Sequence, residues 1–434
     1  MSDFFKDLAE NRKKLWIFIP LLLLYAISYF HRTGIPGTVF SQLLQEGFTA
    51  EAIGAIASAF IMVYSVSQVI SGMLADKYSG VRVVTIGGLL FIIGTNMLPF
   101  CHSLLMINVS RIIAGFGAST MYLSLVREAD RLFGRKNFSI FLGIIYFVGY
   151  IGGMCGAYPF ERLCAYFDWR NVLICLGAVT IILYIVFLFG KRVEKLPSPS
   201  ALPISFFPLL SIMKNPYAWL VLYCSSVNFG TFSIMQMVFG KKFLEDCGNF
   251  SSATASIVIS CLTIVCMTLL LLNGIFIRMV GNRRKPFMIG ASSLNFLTTV
   301  MMIMVLYFDL PKYFLIIGFI CYAVSSAGTL AYTLTAQEIN SKDIMTLATG
   351  FNNMGCYFFV AAGALLLGKV LDLFLPADFA GGDFTYPIQG YIAVLGIILV
   401  FSFIGIILMF FAPETKGHYF NLRLKLKPQT KKIK

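Results

Sequence analysis

Residues 72–82 read Gly-Met-Leu-Ala-Asp-Lys-Tyr-Ser-Gly-Val-Arg and separate two long apolar runs of the chain. A related stretch at residues 274–284, Gly-Ile-Phe-Ile-Arg-Met-Val-Gly-Asn-Arg-Arg, separates two further apolar runs. The leading glycines of the two stretches, Gly72 and Gly274, lie 202 residues apart in a chain of 434. This spacing indicates that a unit of nearly half the chain is present twice.

The composition is that of a membrane protein. Hydrophobic residues make up 58% of the chain and charged residues 12%, and the mean hydropathy is +0.82. A helix crosses the bilayer with about 20 apolar residues, and backbone amides in hydrocarbon must be paired by regular structure. We therefore predict an all-α integral membrane protein with twelve transmembrane helices in two pseudo-symmetric six-helix bundles. The twelve apolar runs are 15–43, 50–75, 83–101, 104–126, 140–160, 172–190, 218–240, 253–277, 286–308, 313–336, 347–371 and 386–411.

The net charge of +14 is distributed unevenly along the chain. When alternate loops are assigned to opposite faces, 26 of the 34 Lys and Arg residues fall on the face that carries both termini, and 6 fall on the other. Because basic loops stay in the cytoplasm, we expect a multi-pass protein of the plasma membrane with both termini cytoplasmic. The basic tail is expected to contact anionic headgroups of the lipid bilayer, and no nucleic-acid partner is expected.

The first quoted stretch resembles the loop signature of the major facilitator superfamily, Gly-x-Leu-Ala-Asp-(Arg/Lys)-x-(Gly/Ser), which joins the second and third membrane helices. Residues 111–118 and the Pro-Glu-Thr-Lys-Gly stretch at 413–417 are similar to the family's fourth-helix and closing patterns. In the family, the acid at the position of Asp76 joins a charge network that stabilises the outward-open state, whereas the second copy here has Arg278. The resemblance implies alternating access. It also assigns conformational roles to Gly72, Asp76, Lys77, Arg82, Arg111 and Gly115.

A proline-broken stretch separates the two predicted halves. Residues 196–203 read Leu-Pro-Ser-Pro-Ser-Ala-Leu-Pro and cannot continue a helix. We predict an N-terminal six-helix bundle at residues 1–190, a cytoplasmic linker at 191–214, and a C-terminal six-helix bundle with the basic tail at 215–434.

The first apolar run contains a charged residue well inside it. Ser28, Tyr29 and Arg32 are spaced three and four residues apart, so they share one face of a helix. All twenty acidic residues fall in loops or near helix ends, so none is placed to neutralise Arg32. A guanidinium offers a planar fork of donors that suits carboxylate or phosphate, and we interpret Arg32 as an anion-binding residue. The alternative is that Arg32 only ties together helix carbonyls or a neighbouring acid.

The Tyr-x-x-Arg setting of Tyr29 and Arg32 is similar to that in the organic-anion branch of the superfamily, which includes organophosphate:phosphate antiporters and anion:cation symporters. In that branch the helix-one arginine grips the anionic group, and the organophosphate exchangers add a second arginine on helix seven. Residues 225–236 of this chain contain no arginine, so we expect a carboxylate or an amino acid in preference to a sugar phosphate. Neutral substrate-binding groups are expected from Tyr146, Asn228, Gln236, Asn352 and Asn353. Each of these side chains is equally consistent with a packing hydrogen bond between helices.

Proton coupling has one candidate residue. A carboxylate relay has no obvious carrier, because the acids lie away from the predicted helix centres. His31 is the one imidazole predicted within the membrane, and an imidazole changes its charge near neutral pH. The competing interpretation is that His31 only makes a hydrogen bond within the bundle.

No motif for covalent chemistry is found. The sequence has no phosphate-binding Gly-x-x-x-x-Gly-Lys loop, no nucleophile motif and no metal-ligand spacing among its ten cysteines and three histidines. We expect no enzyme activity, no cofactor and no metal. The predicted function is a secondary active transporter that acts as a monomer on a small organic anion or zwitterion, with a proton or another ion as a candidate coupled species. The alternatives are a non-transporting solute receptor or sensor of the same fold, and an efflux pump for a lipophilic compound.

Overall fold

Twelve long helices make up most of the part of the chain that the structure describes. The computed structural model describes residues 12–35, 37–39, 42–43, 46, 48, 50–156, 158–193, 207–237, 239–374 and 385–419. Within these residues each predicted apolar run contains a long helix, although the helix of the first run, predicted over 15–43, ends at Gly34. All of the twelve except α11 are long and apolar enough to cross a membrane. The predicted all-α architecture is confirmed. The helices are α1 (Arg12–Gly34), α2 (Ala50–Tyr78), α3 (Gly80–Met97), α4 (Leu104–Gly134), α5 (Asn137–Cys155), α6 (Trp169–Val193), α7 (Pro216–Met237), α8 (Ser252–Met279), α9 (Lys285–Tyr307), α10 (Tyr313–Glu338), α11 (Met345–Asp372) and α12 (Ile388–Phe410).

Helices α1–α6 pack into one bundle and α7–α12 into a second. We name the membrane face where α1 begins and α12 ends the terminal face, and the other the opposite face. Residues 194–206 of the predicted linker and residues 420–434 of the predicted tail lie outside the described residues. The domain boundaries at 190 and 214 therefore stay predictions.

Two backbone breaks interrupt otherwise continuous helices. Residues Leu104–Cys155 are helical except at Gly134, whose φ of 70° lies in the left-handed region that glycine adopts without steric cost. Gly134 ends α4 and lets α5 return across the membrane. Helix α10 consists of two segments, Tyr313–Ser326 and Thr329–Glu338, with a short break between them.

Glycines allow α1 and α5 to come together in the first bundle. A Cβ atom added to Gly152 would lie 2.0 Å from the carbonyl oxygen of Ala26, and one added to Gly156 would lie 2.8 Å from that of Phe30. Only glycine fits at this crossing, as is usual where membrane helices approach closely. The backbone of α1 is therefore held directly against α5.

Arg111 is fully buried in α4 and holds the end of α1. Its guanidinium donates to the carbonyl oxygens of His31 and Ile35, both at 2.8 Å, and lies 4.4 Å from the centre of the Phe60 ring. The last carbonyls of a helix lack partners within the helix and favour a nearby cation, so Arg111 fixes the last turn of α1. Gly115, one turn further along α4, makes room for α2, because an added Cβ would lie 2.8 Å from the Phe60 carbonyl oxygen.

A buried ion pair closes the second bundle at the terminal face. Arg284, just before α9, pairs with Glu338 at the end of α10, with 2.9 Å between Nη2 and Oε1. The Thr415 hydroxyl also donates to Glu338, and the Glu414 carboxylate accepts the backbone N–H of Arg284 at 2.8 Å. The Pro-Glu-Thr-Lys-Gly stretch therefore ties the segment after α12 to the start of α9.

The two bundles meet at the terminal face through one carboxylate and two backbone amides. Asp76, in the last turn of α2, accepts the N–H groups of Thr346 at 3.1 Å and Leu347 at 2.8 Å, in the first turn of α11. Such N–H groups have no partner within their own helix, and a helix N-terminus favours a negative charge. Arg127 lies 3.8 Å from the same carboxylate. A Cβ atom added to Gly72 would lie 2.8 Å from Leu347 Cα, so the helices touch backbone to backbone.

A second backbone contact joins α5 to α8. The Ser139 hydroxyl donates to the carbonyl oxygen of Gly274 at 3.1 Å, and a Cβ atom added to Gly274 would lie 2.5 Å from the Ser139 carbonyl oxygen. Gly72 and Gly274, the leading glycines of the two repeated stretches, therefore both lie where one bundle crosses the other.

Two other residues of the first repeated stretch are predicted to have conformational roles. The Lys77 ammonium is 5.5 Å from the centre of the Tyr78 ring, and Arg82 is half-buried in α3.

We expect Gly152→Ala to destabilise the protein by about 1–3 kcal/mol, the usual cost of overpacking, because the new Cβ meets the backbone of α1. The measurement is the thermal unfolding temperature of the detergent-solubilised protein. Gly396→Ala on α12 is the matched control, since an added Cβ there meets nothing within 4 Å. Equal unfolding temperatures for the two variants would contradict the close contact of α1 with α5.

We expect Asp76→Ala to release the first turn of α11. Loss of a helix cap costs about 1 kcal/mol, so amide hydrogen exchange at Thr346 and Leu347 should become about fivefold faster, as measured by mass spectrometry. Asp309→Ala removes an exposed carboxylate on the opposite face and should leave exchange in this segment unchanged. If Asp76→Ala also leaves it unchanged, the carboxylate does not cap α11.

Candidate functional site

A small cavity lies between the two bundles. Its volume is about 20 Å³, roughly the space that one water molecule needs. Six of the lining residues are tyrosines, namely Tyr25, Tyr29, Tyr64, Tyr122, Tyr146 and Tyr357. The other lining residues are Phe229, Thr329, Thr333, Asn352, Asn353 and Cys356. The cavity therefore presents hydroxyl and amide groups on largely aromatic walls.

Arg32, in the last turn of α1, lies beside this cavity. Its guanidinium carbon is 3.5 Å from the centre of the Tyr29 ring, 5.2 Å from that of Tyr64 and 5.1 Å from that of Tyr357. Tyr64 is the central residue of α2, and Tyr357 is close to the centre of α11. The Arg32 side chain therefore reaches the central turns of α2 and α11.

Arg32 is held by aromatic rings and one hydroxyl. Its Nη1 donates to the Tyr357 hydroxyl at 2.5 Å, across the boundary between the two bundles. Among the described residues no carboxylate lies within 4 Å of the guanidinium, and Nε has no hydrogen-bond partner. Ring faces attract a cation through their quadrupole, but they carry no net charge. The site therefore keeps a full positive charge and unused donors.

Hydroxyl groups connect the two bundles at another point of the cavity. The Tyr122 and Tyr146 oxygens are 2.8 Å apart, and the Tyr146 oxygen is 3.0 Å from that of Thr333. Each of these hydroxyls can donate or accept a hydrogen bond. The chain of hydroxyls that joins α4, α5 and α10 can therefore reorient toward a ligand of either polarity.

Two amides on α11 complete the polar lining. Asn352 is buried and donates to the Ser225 hydroxyl at 3.2 Å, whereas its Oδ1 has no hydrogen-bond partner in the described part of the chain. Leaving a buried polar atom without a partner is costly. Asn353 is half-buried beside it. A ligand that supplies an N–H or O–H group would satisfy Asn352.

Asn228, a predicted substrate-binding residue, lies inside the second bundle and does not line the cavity. It is buried, donates to the hydroxyls of Ser292 and Tyr332 and to the Cys224 carbonyl, and accepts from Ser325. This set uses the donors and the acceptor of the amide, so the structure places Asn228 in a packing network.

Two further predicted residues are also engaged elsewhere. Gln236 donates to Thr263, between α7 and α8. The Ser28 hydroxyl donates to the Tyr25 carbonyl oxygen of its own helix at 2.7 Å. The predicted residues that the structure brings together are thus Arg32, Tyr29, Tyr146, Asn352 and Asn353.

His31 occupies a different face of α1 from Arg32. Its side chain is buried and packs edge-on against Phe30 and Phe91, with ring centres 5.6 and 5.7 Å apart. Neither ring nitrogen has a hydrogen-bond partner among the described residues, and His31 does not line the cavity. The predicted proton-coupling candidate is therefore enclosed within the first bundle.

Four cavity tyrosines are missing from the sequence-based prediction: Tyr25, Tyr64, Tyr122 and Tyr357. Tyr25 precedes Tyr29 by four residues, so helical spacing alone places both on one face of α1. The other three lie on different helices, and the sequence carries no signal for which side of those helices faces the cavity.

Curated relatives match parts of the chain. SauU of Cupriavidus necator, named a probable sulfoacetate transporter, is 27% identical over 163 residues, which is 37% of each chain. The chloroplastic sodium-dependent phosphate transport protein 1 of Arabidopsis thaliana is 21% identical over 52% of this chain and 48% of the relative. The chloroplastic ascorbate transporter of the same plant is 23% identical over 44% and 39%. The chain thus spans less than half the length of the curated relatives it matches.

A solved structure and a family model cover far more of the chain. The proton:xylose symporter XylE bound to 6-bromo-6-deoxy-D-glucose aligns with a TM-score of 0.70 and 13% identity over 94% of this chain and 98% of that one, and so shares its fold. The model of the Major Facilitator Superfamily, a family of transporters, matches residues 21–364. With its two six-helix bundles and its repeated glycine-led stretches, the chain belongs to the Major Facilitator Superfamily.

Proposed function

We propose that this protein is a secondary active transporter for a small organic anion or zwitterion, with Arg32 as the residue that binds the anionic group. The observation that carries the proposal is the Arg32 guanidinium, which has three tyrosine rings around it and no carboxylate within 4 Å among the described residues. A charge held in a membrane without a counter-ion marks a substrate or ion pathway.

The names of the relatives support an anionic substrate. Sulfoacetate, phosphate and ascorbate, which appear in those names, are all anions at neutral pH. Each relative matches less than half of its own length, so the likeness supports the chemical class and does not identify the molecule.

The cavity favours a single anionic group attached to a hydrogen-bonding body. Arg32 is the one cation in contact with the cavity tyrosines in the described part of the chain, and the lining residues are neutral. One guanidinium matches one carboxylate or sulfonate well, whereas a sugar phosphate dianion would lack a second basic partner. The hydroxyls of Tyr122, Tyr146 and Thr333 and the amide of Asn352 would bind the rest of an amino acid or carboxylate.

Alternating access is the transport mechanism we propose. The terminal face is closed by backbone contacts at Gly72 and Gly274, and the cavity of about 20 Å³ is too small for an organic solute. Entry therefore requires the bundles to move apart, and a central site between two such bundles is exposed to each side in turn by their rocking. The excess of basic residues supports a cytoplasmic terminal face, and the proposal places the protein in the plasma membrane.

Two other functions compete with this one. A solute receptor of the same fold would use the same site and would differ only in the absence of turnover. An efflux pump for a lipophilic compound is less favoured, because the cavity wall carries hydroxyls and amides in addition to aromatic rings. The proposal includes a coupled proton or other ion and a monomeric state.

We expect Arg32→Gln to weaken anion binding about 10- to 150-fold, because a hydrogen bond to a charged group contributes about 1.5–3 kcal/mol. Binding is measured as the thermal shift of purified protein with sulfoacetate, ascorbate, phosphate, amino acids and further carboxylates. Ligands that stabilise the wild type are then tested by counterflow in proteoliposomes. A ligand that stabilises the wild type and never exchanges indicates a receptor.

The matched controls for Arg32→Gln are a different substitution of Arg32 and a substitution elsewhere on α1. Arg32→Lys keeps the charge and should retain part of the binding. Ser28→Ala removes a hydroxyl that bonds only its own helix and should bind as the wild type does. If Arg32→Gln binds and exchanges anions normally, the assignment of Arg32 is wrong.

We expect His31→Gln to change protein stability and to leave the shape of the pH profile of transport unaltered. The reason is that His31 packs against Phe30 and Phe91, its backbone carbonyl accepts from Arg111, and it is not among the described residues that line the cavity. Initial exchange rates in proteoliposomes between pH 5.5 and 8 provide the measurement. A variant that loses the pH dependence of the wild type would instead assign proton coupling to His31.

A further inference from the structure

We propose that a groove in the second bundle, on its terminal-face side, binds an anionic phospholipid. The groove lies between α8, α9 and α10 and has a volume of about 300 Å³. Its walls are mostly apolar and include Leu269, Phe287, Leu294 and Val324. It is separate from the central cavity, with which it shares no lining residue.

A basic depression adjoins the mouth of this groove. The depression has a volume of about 530 Å³ and shares Pro286 with the groove. Three cations line it, Arg283, Lys285 and Lys416, together with a single carboxylate, Glu414. An apolar groove that continues into a basic rim has the layout of a phospholipid, with its acyl chain beside its phosphate.

The charges at the rim are available to a ligand. Both oxygens of Glu414 already accept backbone N–H groups, from Arg284 and Lys285, and Lys285 donates its ammonium to the Phe410 carbonyl. Arg283 and Lys416 are exposed, and their side chains make no ion pair or hydrogen bond with the described residues. The rim therefore offers two free cations toward the headgroup layer, where basic pockets between membrane helices bind anionic lipids.

The depth of the groove matches the hydrocarbon region. Pro286 is in the first turn of α9, and Leu294 lies eight residues further along, about 12 Å at 1.5 Å per residue. Asn273, the amide in the groove wall, donates to the Ala327 carbonyl at the break in α10, so this donor is satisfied. Gly290 leaves the centre of the groove open, since an added Cβ meets nothing within 4 Å. One acyl chain would thus lie over Gly290 with its phosphate between Arg283 and Lys416.

The test is a binding titration by native mass spectrometry of the full chain in detergent, with dioleoyl phosphatidylglycerol and dioleoyl phosphatidylcholine as probes. We expect the wild type to bind phosphatidylglycerol more tightly. Arg283→Ala combined with Lys416→Ala should weaken phosphatidylglycerol binding about 25-fold, because each basic side chain at an anionic lipid surface contributes about fivefold in affinity. Gly290→Leu should weaken binding of that lipid about tenfold by occupying the space of the acyl chain.

Matched variants separate this site from general effects of charge and size. Lys214→Ala combined with Lys342→Ala removes two exposed lysines of the terminal face that line neither depression nor groove. Gly396→Leu adds a side chain at another glycine with open space around it. Both should bind phosphatidylglycerol as the wild type does.

Five outcomes would overturn the proposal. The first is equal binding of the two lipids by the wild type, and the second is an unchanged affinity in the Arg283/Lys416 variant. The third is an unchanged affinity in Gly290→Leu, because the acyl chain would then lie elsewhere. The fourth is an equal loss of affinity in the matched control variants. Inorganic phosphate that competes fully with phosphatidylglycerol at equal concentration would also count against a lipid as the ligand.

Discussion

The positive charge of Arg32, which has no counter-ion within 4 Å among the described residues, is the constraint around which the central cavity is arranged. A charge in the hydrocarbon region is costly, up to about 2.5–3.5 kcal/mol at the bilayer centre on insertion scales. A cation over an aromatic ring gains about 0.5–2 kcal/mol, so the rings of Tyr29, Tyr64 and Tyr357 offset part of this cost. None of them cancels the charge. An anion that enters meets an uncompensated field in a low-dielectric region, where attraction is strong.

Arg32 also connects the two bundles. Its backbone belongs to a helix that Arg111 holds at its end and that Gly152 brings against α5, so it moves with the first bundle. Its hydrogen-bond partner, Tyr357, belongs to the second. A ligand that takes the Arg32 donors competes with this bond between bundles. In the proposed transporter, binding of an anion and the relative position of the bundles would therefore be coupled through one side chain.

The sequence predicted the helices well, because each apolar run is long and the two glycine-led stretches occupy equivalent positions in the two halves of the chain. It also singled out Arg32, a lone charge inside an apolar run, which lies beside the cavity; its anion-binding role stays a prediction. It could not separate Asn352, which lines the cavity, from Asn228, which is used up in packing. The rotation of each helix within its bundle decides that difference, and rotation depends on contacts with residues far away in the sequence. Tyr64 and Tyr357 were missed for the same reason, because they are more than 290 residues apart.

The contact between Asp76 and α11 joins a side chain to two main-chain amides, so substitutions on the two sides of the contact have different effects. Replacement of Thr346 or Leu347 by most other residues leaves their N–H groups in place, and only proline removes one. Replacement of Asp76 removes the acceptor altogether. Substitutions at residue 76 therefore remove these hydrogen bonds, whereas most substitutions at residues 346 and 347 leave the donors in place. A second-site suppressor of a defect at residue 76 would therefore have to bring another acceptor or negative charge to the same helix end.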